Sequence, residues 1–119
     1  MPGSSADQFA IICATKDRHD SVKTLLASLS SQSEKPGQII LADGGHNLRT
    51  LAAEFRETLD IDCLYCPQAG QILQRNFALK HLNDNIQVVI YLDDDNSFDE
   101  GFISGFVEAW NEQLSLIHI

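Results

Sequence analysis

Four short apolar runs, each stopping at a polar turn, constrain this chain more than any other feature. They are Phe9 to Ala14, Gln38 to Ala42, Ile61 to Tyr65 and Gln87 to Leu92. The unbroken apolar character of the first two is that of strands covered on both faces, and the fourth is the clearest strand of all. Residues at helical spacing lie between the runs. Val22, Leu25, Leu26 and Leu29 fall at i, i+3, i+4 and i+7, behind Asp20 or Ser21 as a cap. Leu48, Leu51, Ala52, Phe55 and Leu59 repeat the stripe. Residues 70–82 have helical composition and offer Ile72, Leu73, Phe77, Ala78 and Leu82 to the sheet, while Phe102, Ile103, Phe106, Val107 and Trp110 mark a last helix. Pro36-Gly37 and Pro67 punctuate the connections. Strict alternation of strand and helix predicts one α/β unit: a mainly parallel sheet of about four strands flanked by helices.

Composition agrees with a single compact domain, since 44% of the 119 residues are hydrophobic and 21% charged. Residues 1–8 are expected to be a disordered N-terminus and 9–113 the folded unit. Leu114 to Ile119 read like one-frame translation of the transposon-end adapter used in sequencing libraries, so 114–119 is expected to be a non-native tail; partial alternation also allows a natural strand. Lys and Arg number 8 against 17 Asp and Glu, giving a net charge of −9. Such a surface repels phosphate backbones and anionic lipid, which argues against nucleic acid as a partner. An anionic ligand such as a nucleoside diphosphate would need a cation between itself and the protein. No apolar run in the covered chain reaches the roughly 20 residues of a membrane span, and the N-terminus lacks the basic and apolar regions of a signal peptide. Cys13, Cys63 and Cys66 form an odd set, which suits a reducing, cytoplasmic setting. Cys63 and Cys66 have CxxC spacing but no second ligand pair, and read as small residues of a strand and its end.

In a parallel sheet ligands gather at the edge where the strands end, where the strand order reverses. An order 3-2-1-4 would open a crevice between the first and fourth strands. It would set Thr15 to Asp17 beside Asp93 to Asp95, with Asp43 one strand away. Three consecutive acids repel one another unless a cation joins them, and oxygen ligands favour Mg²⁺ or Mn²⁺. The other reading is a solvated acidic turn capping the helix that starts near Glu100. An EF-hand is excluded, because Phe98 stands where that loop needs Gly and Ser104 where it needs Glu. Asp43, followed by Gly44-Gly45, suits an acceptor for a base or ribose, or an ordinary Asp-Gly turn. Arg75 and Asn76 lie on a helix facing the sheet, where Arg75 could grip a phosphate, hold the carboxylates or simply lie on the surface. His19, His46 and His81 share no metal-ligand spacing.

Taken in order, Phe9 to Thr15, Ile39 to Gly45, Gly70 with Arg75-Asn76, and Tyr91 to Asp95 resemble the N-terminal motifs of inverting family 2 glycosyltransferases with the Rossmann-like GT-A fold. The resemblance runs from about Phe9 to Trp110. It implies transfer of a sugar from a nucleotide-diphosphate sugar to an acceptor hydroxyl on a glycan, lipid or small molecule. By position, Thr15 would contact the nucleotide, Asp43 would hold the base and Arg75 would stabilise the nucleotide side. Asp17, Gly44, Asn76, Asp93 and Asp94 would complete the donor-binding set. Asp93 and Asp95 would form the DxD pair, with Asp95 the direct ligand of Mn²⁺ or Mg²⁺. Ala42-Asp43-Gly44-Gly45 replaces the more usual Asp-Asp-Gly-Ser, and Cys13 stands where Pro is common. The catalytic base and acceptor surface belong to a second half that this chain does not include, so the fragment alone is expected to be inactive. The rival readings are a non-catalytic nucleotide- or cation-binding α/β domain and a nucleotidyltransferase. Thr15-Lys16-Asp17-Arg18 stands where the latter needs a glycine- and arginine-rich phosphate loop. An aspartyl-nucleophile phosphatase would want its acidic pair after the first strand.

Overall fold

The computed structural model describes residues 5–45, 48–67, 70–94 and 99–117, with side chains as far as residue 112. Strand β1 (Phe9–Thr15) leads to α1 (His19–Ser30), β2 (Gln38–Asp43), α2 (Arg49–Glu54), β3 (Ile61–Tyr65), α3 (Gln71–Leu79), β4 (Val88–Tyr91) and α4 (Phe102–Ile117). The four strands form one parallel sheet in the order β3-β2-β1-β4, as the alternation predicts. Ile11 pairs with Ile39 on one side and Ile90 on the other, and at the far end of the ladder Thr15 stands opposite Asp43.

Period-two alternation divides β1 between two cores. Phe9, Ile11 and Cys13 point into the larger one, with Leu25, Leu26 and Leu29 of α1, Leu51 of α2 and Ile103 of α4. Phe9 also meets Phe106 edge to face, with ring centroids 5.9 Å apart. Ile12 faces the smaller core of Ile40, Ala42 and Ala78. The connections through α1 and α2 run outward on one face, and α3 carries the chain back across β2 and β1 on the other. The order therefore reverses between β1 and β4.

Helix α3 packs Ala78 against the sheet as expected, with Leu82 partly buried beyond it, but turns Gln74 inward in place of Ile72 and Leu73. Ile72 and Leu73 are 74% and 47% exposed, whereas Gln74 and Ala78 are buried. The physical reason is polar. Where the ladder runs out, the Gln74 amide donates to the carbonyls of Thr15 at 2.9 Å and Ala42 at 2.6 Å, a bond that Ile or Leu could not make. Its oxygen in turn accepts the Gly70 amide at 3.0 Å. Helix α1 starts at His19, earlier than expected, and neither Asp20 nor Ser21 caps it. The part of the expected disordered N-terminus that is described is folded: Ala6–Gln8 form a 3-10 turn, with Ala6 buried. Residues 114–117 continue α4 as helix, so the strand alternative for this segment does not hold.

Two outcomes follow from this packing. Gly37 donates to the Phe9 carbonyl at 2.9 Å, and a Cβ there would run into the Asp7 backbone carbonyl. Gly37→Ala should cost about 1–3 kcal/mol, read as a lower urea midpoint; unchanged stability would mean the 3-10 turn does not pack there. Gln74→Leu should cost a similar ~1–3 kcal/mol by stripping buried acceptors of their donor. Equal stability of that variant would remove the role assigned to the amide.

Candidate functional site

The polar ends of β1, β2 and β4 open on the same sheet edge. After β1 the chain turns sharply, and Asp17 adopts a left-handed φ of 55°. Gly45 lies directly against its carboxylate, in a position that a Cβ would contest. Glycine is what lets the turns after β1 and β2 approach so closely. The Gly44 amide completes the approach by donating to the Thr15 carbonyl at 2.8 Å.

Between β1 and β4, the Thr15 hydroxyl donates to Oδ2 of Asp94 at 2.8 Å, a buried bond between residues 79 positions apart. The other oxygen, Oδ1, lies 3.3 Å from Nε of Arg18. Asp94 is thus held at the crevice mouth by a hydroxyl and a guanidinium. A cavity of about 420 Å³ opens here, lined by Thr15, Lys16, Arg18, Gly70, Gln74, Asp93 and Asp94 among others. Its walls carry two cations and two carboxylates, a local balance hidden by the net charge of −9. Asp93 is exposed and Asp94 buried.

A second cavity of about 340 Å³ lies one strand away, lined by Asp43, Gly45, Arg49, Cys63 and Tyr65. Asp43 is buried, and one of its oxygens accepts the Gly45 amide at 2.8 Å. The carboxylate therefore both shapes the Asp-Gly turn and faces a cavity, so the two sequence readings of Asp43 are not exclusive. Burial pushes the Cys63 thiol up, the Asp43 carboxylate adds to the shift, and Arg49 and Arg56 oppose it. Cys63 stays a neutral thiol in the cavity wall, and Cys66 is buried one residue past β3.

The structure brings Thr15, Asp93 and Asp94 together and sets Asp43 and Gly44 beside them. It places Arg75 and Asn76 elsewhere on α3. The Arg75 guanidinium lies over the Tyr91 ring, 4.9 Å from its centroid, with Nε buried and without a hydrogen-bond partner. Asn76 is exposed, and neither residue lines the two cavities. Asp95 lies outside the described residues. Among the described residues no three His, Cys, Asp or Glu side chains gather as a metal cluster. Asp93 and Asp94 are oxygen donors of the kind a hard cation takes, and both oxygens of Asp94 are already engaged by Thr15 and Arg18. Sequence reasoning missed Arg18 and Gln74. The signal for Arg18 was the need of clustered acids for a counter-charge, and for Gln74 a polar residue four positions before an inward Ala.

No helix among the described residues is long and apolar enough to cross a membrane. A search of curated proteins gives no match. Among solved structures, the fold is similar to S. aureus TarS 1-349, with a TM-score of 0.76 and 20% identity, covering 88% of this chain and 32% of that one. A second structure of S. aureus TarS gives 0.70 and 19%, covering 86% and 20%. The chain thus spans about a third or less of the length of these structures, and likeness at this identity is likeness of fold. The family described as glycosyl transferase family 2 matches residues 10–117, from β1 through α4. With that match across nearly its whole length and the sheet order of the GT-A fold, the chain belongs to glycosyl transferase family 2.

Proposed function

We propose that this chain is the donor-binding half of a glycosyltransferase that takes a sugar from a nucleotide-diphosphate sugar and passes it to an acceptor hydroxyl. The observation that carries the reading is the Thr15 to Asp94 bond, which closes the crevice where the strand order reverses. In this reading the nucleotide lies along the sheet edge. Its base sits in the cavity of Asp43, Arg49 and Tyr65, where Asp43 accepts a hydrogen bond from the base and the exposed Tyr65 ring offers a face. Its diphosphate lies in the cavity between β1 and β4, with Lys16 and Arg18 supplying positive charge and Asp93 reaching the ribose or the cation. Asp17 and Gly44 complete the donor side through the turns after β1 and β2, while Arg75 and Asn76, which line neither cavity, are left out of it. The acceptor is a glycan, lipid or small molecule.

Asp93 and Asp95 are the proposed holders of Mn²⁺ or Mg²⁺. When bound, the cation would neutralise charge building on the departing diphosphate. Thr15 and Arg18 hold Asp94 by both oxygens, next to the exposed Asp93. The general base and acceptor surface are assigned to a part of the protein that follows this half, so residues 1–119 alone should bind a nucleotide weakly and transfer no sugar. We propose the cytoplasm as the compartment of donor binding, a reducing setting consistent with three free thiols.

Calorimetric titration with nucleoside diphosphates, with and without Mn²⁺, tests the reading. Nucleotide and metal should bind with positive coupling, since the cation bridges carboxylate and phosphate. In the full-length protein Asp95→Asn should reduce turnover by about 10²-fold or more, as expected for loss of a charged group stabilising the transition state. Asp94→Asn should cost less, because an amide oxygen can still accept from Thr15. Nucleotide binding indifferent to Mn²⁺, together with a fully active Asp95→Asn variant, would reduce the acidic turn to surface.

A further inference from the structure

Arg18 is held at both ends although its side chain stands 54% exposed. Its backbone is the N-cap of α1, and its carbonyl accepts the Val22 amide at 3.0 Å. Its Nε lies 3.3 Å from Oδ1 of Asp94, a side chain only 11% exposed. That carboxylate is itself fixed, because its other oxygen accepts the buried Thr15 hydroxyl at 2.8 Å.

An ion pair between two solvent-exposed side chains contributes little, since both must be ordered to form it. Here the cost of ordering falls on Arg18 alone, because Thr15 has already fixed the carboxylate. The contact also engages the guanidinium at Nε, the nitrogen nearest the backbone. Its two terminal nitrogens carry most of the N–H donors and have no partner among the described residues. Arg18 lines the cavity between β1 and β4, and Lys16 lines it too. A planar fork of free donors beside a second cation suits an oxyanion with several acceptor oxygens, which is the chemistry of a phosphate.

We propose that Asp94 is a positioning residue for Arg18: anchored by Thr15, it holds the guanidinium by Nε and leaves the terminal nitrogens set to take a phosphate of the ligand. This rests on the reading of that cavity as the diphosphate site, and it gives Asp94 a role exerted through Arg18. Ordering a long side chain before the ligand arrives is worth roughly 3–10-fold in affinity. Repulsion between Asp94 and the anion works the other way, but the carboxylate is already paired and solvent screens the remainder.

The test is titration of the 119-residue chain with inorganic pyrophosphate in EDTA at constant ionic strength, read from backbone amide shifts by NMR. Wild type should bind weakly. Arg18→Gln should weaken binding about 10-fold or more, and Asp94→Asn roughly 3–10-fold. Arg18→Lys keeps the charge but has no Nε for Asp94 to hold, so it should bind less tightly than wild type. Adding Asp94→Asn to Arg18→Lys should weaken binding no further. Lys23→Gln, which removes an exposed cation of α1, should leave the affinity unchanged. Tighter binding by Asp94→Asn overturns the proposal, because the carboxylate would then only repel the anion. Equal weakening by Asp94→Asn with and without Arg18→Lys overturns it too, since Asp94 would then act on the ligand directly. If Asp94→Asn does not fold, Arg18→Lys decides alone, and an affinity equal to wild type refutes the positioned fork. A wild-type chain that binds no pyrophosphate in EDTA also overturns the proposal, while the donor reading stands or falls on the Mn²⁺-dependent titration of nucleoside diphosphate.

Discussion

Strand β1 is hydrogen-bonded on both edges and covered on both faces, and the rest of the structure is arranged around that burial. A buried backbone must pair its amides and carbonyls, and parallel neighbours can reach both edges only through crossovers. Each crossover needs a helix, and each helix must lay an apolar side on the sheet. Two crossovers on one face and one on the other follow from the order β3-β2-β1-β4. The point of reversal is also where helices do not cover the strand ends. The crevice is thus a consequence of packing a buried central strand, and its chemistry is supplied by the turns that happen to meet there.

Those turns are stitched by polar side chains whose partners are far away in sequence. Gln74 ties α3 to the last carbonyls of β1 and β2, and Thr15 ties β1 to the turn after β4. Gln32 ties α1 to the beginning of α4. All three are buried, and each makes its bonds to backbone or to a charged oxygen. Such bonds add modestly to stability when made and are costly when broken, so they fix position more than they add free energy. Around the crevice between β1 and β4 this yields a buried polar frame, with Lys16, Arg18 and Asp93 exposed about it.

Charge is distributed on a finer scale than net charge suggests. A chain at −9 places Lys16 and Arg18 beside Asp93 and Asp94, and Arg49 beside Asp43. An anionic ligand would therefore meet alternating signs along the sheet edge. Cys63 shows the same interplay in miniature, raised by burial and by Asp43 and drawn back by Arg49 and Arg56.

The sequence by itself determined the strands, most of the buried stripes and the edge at which the polar turns collect. Apolar runs and helical spacing report burial, and burial is what organises an α/β sheet; Val22, Leu25, Leu26 and Leu29 are all fully buried, as their spacing requires. Three of the four family motifs were legible for the same reason, since each sits where a strand stops, whereas Gly70 with Arg75-Asn76 belongs to α3. Only the tertiary structure decided which side of α3 faces inward, because the demand for amide donors at the ends of β1 and β2 overrode the preference of Ile72 and Leu73 for burial. It alone showed that Asp94 turns inward to Thr15 and Arg18, and that Arg75 lies on Tyr91. Long-range pairing of single polar side chains leaves no period in a sequence. A glutamine that bonds residues 71 positions away looks, in one dimension, like any other glutamine at a helix end.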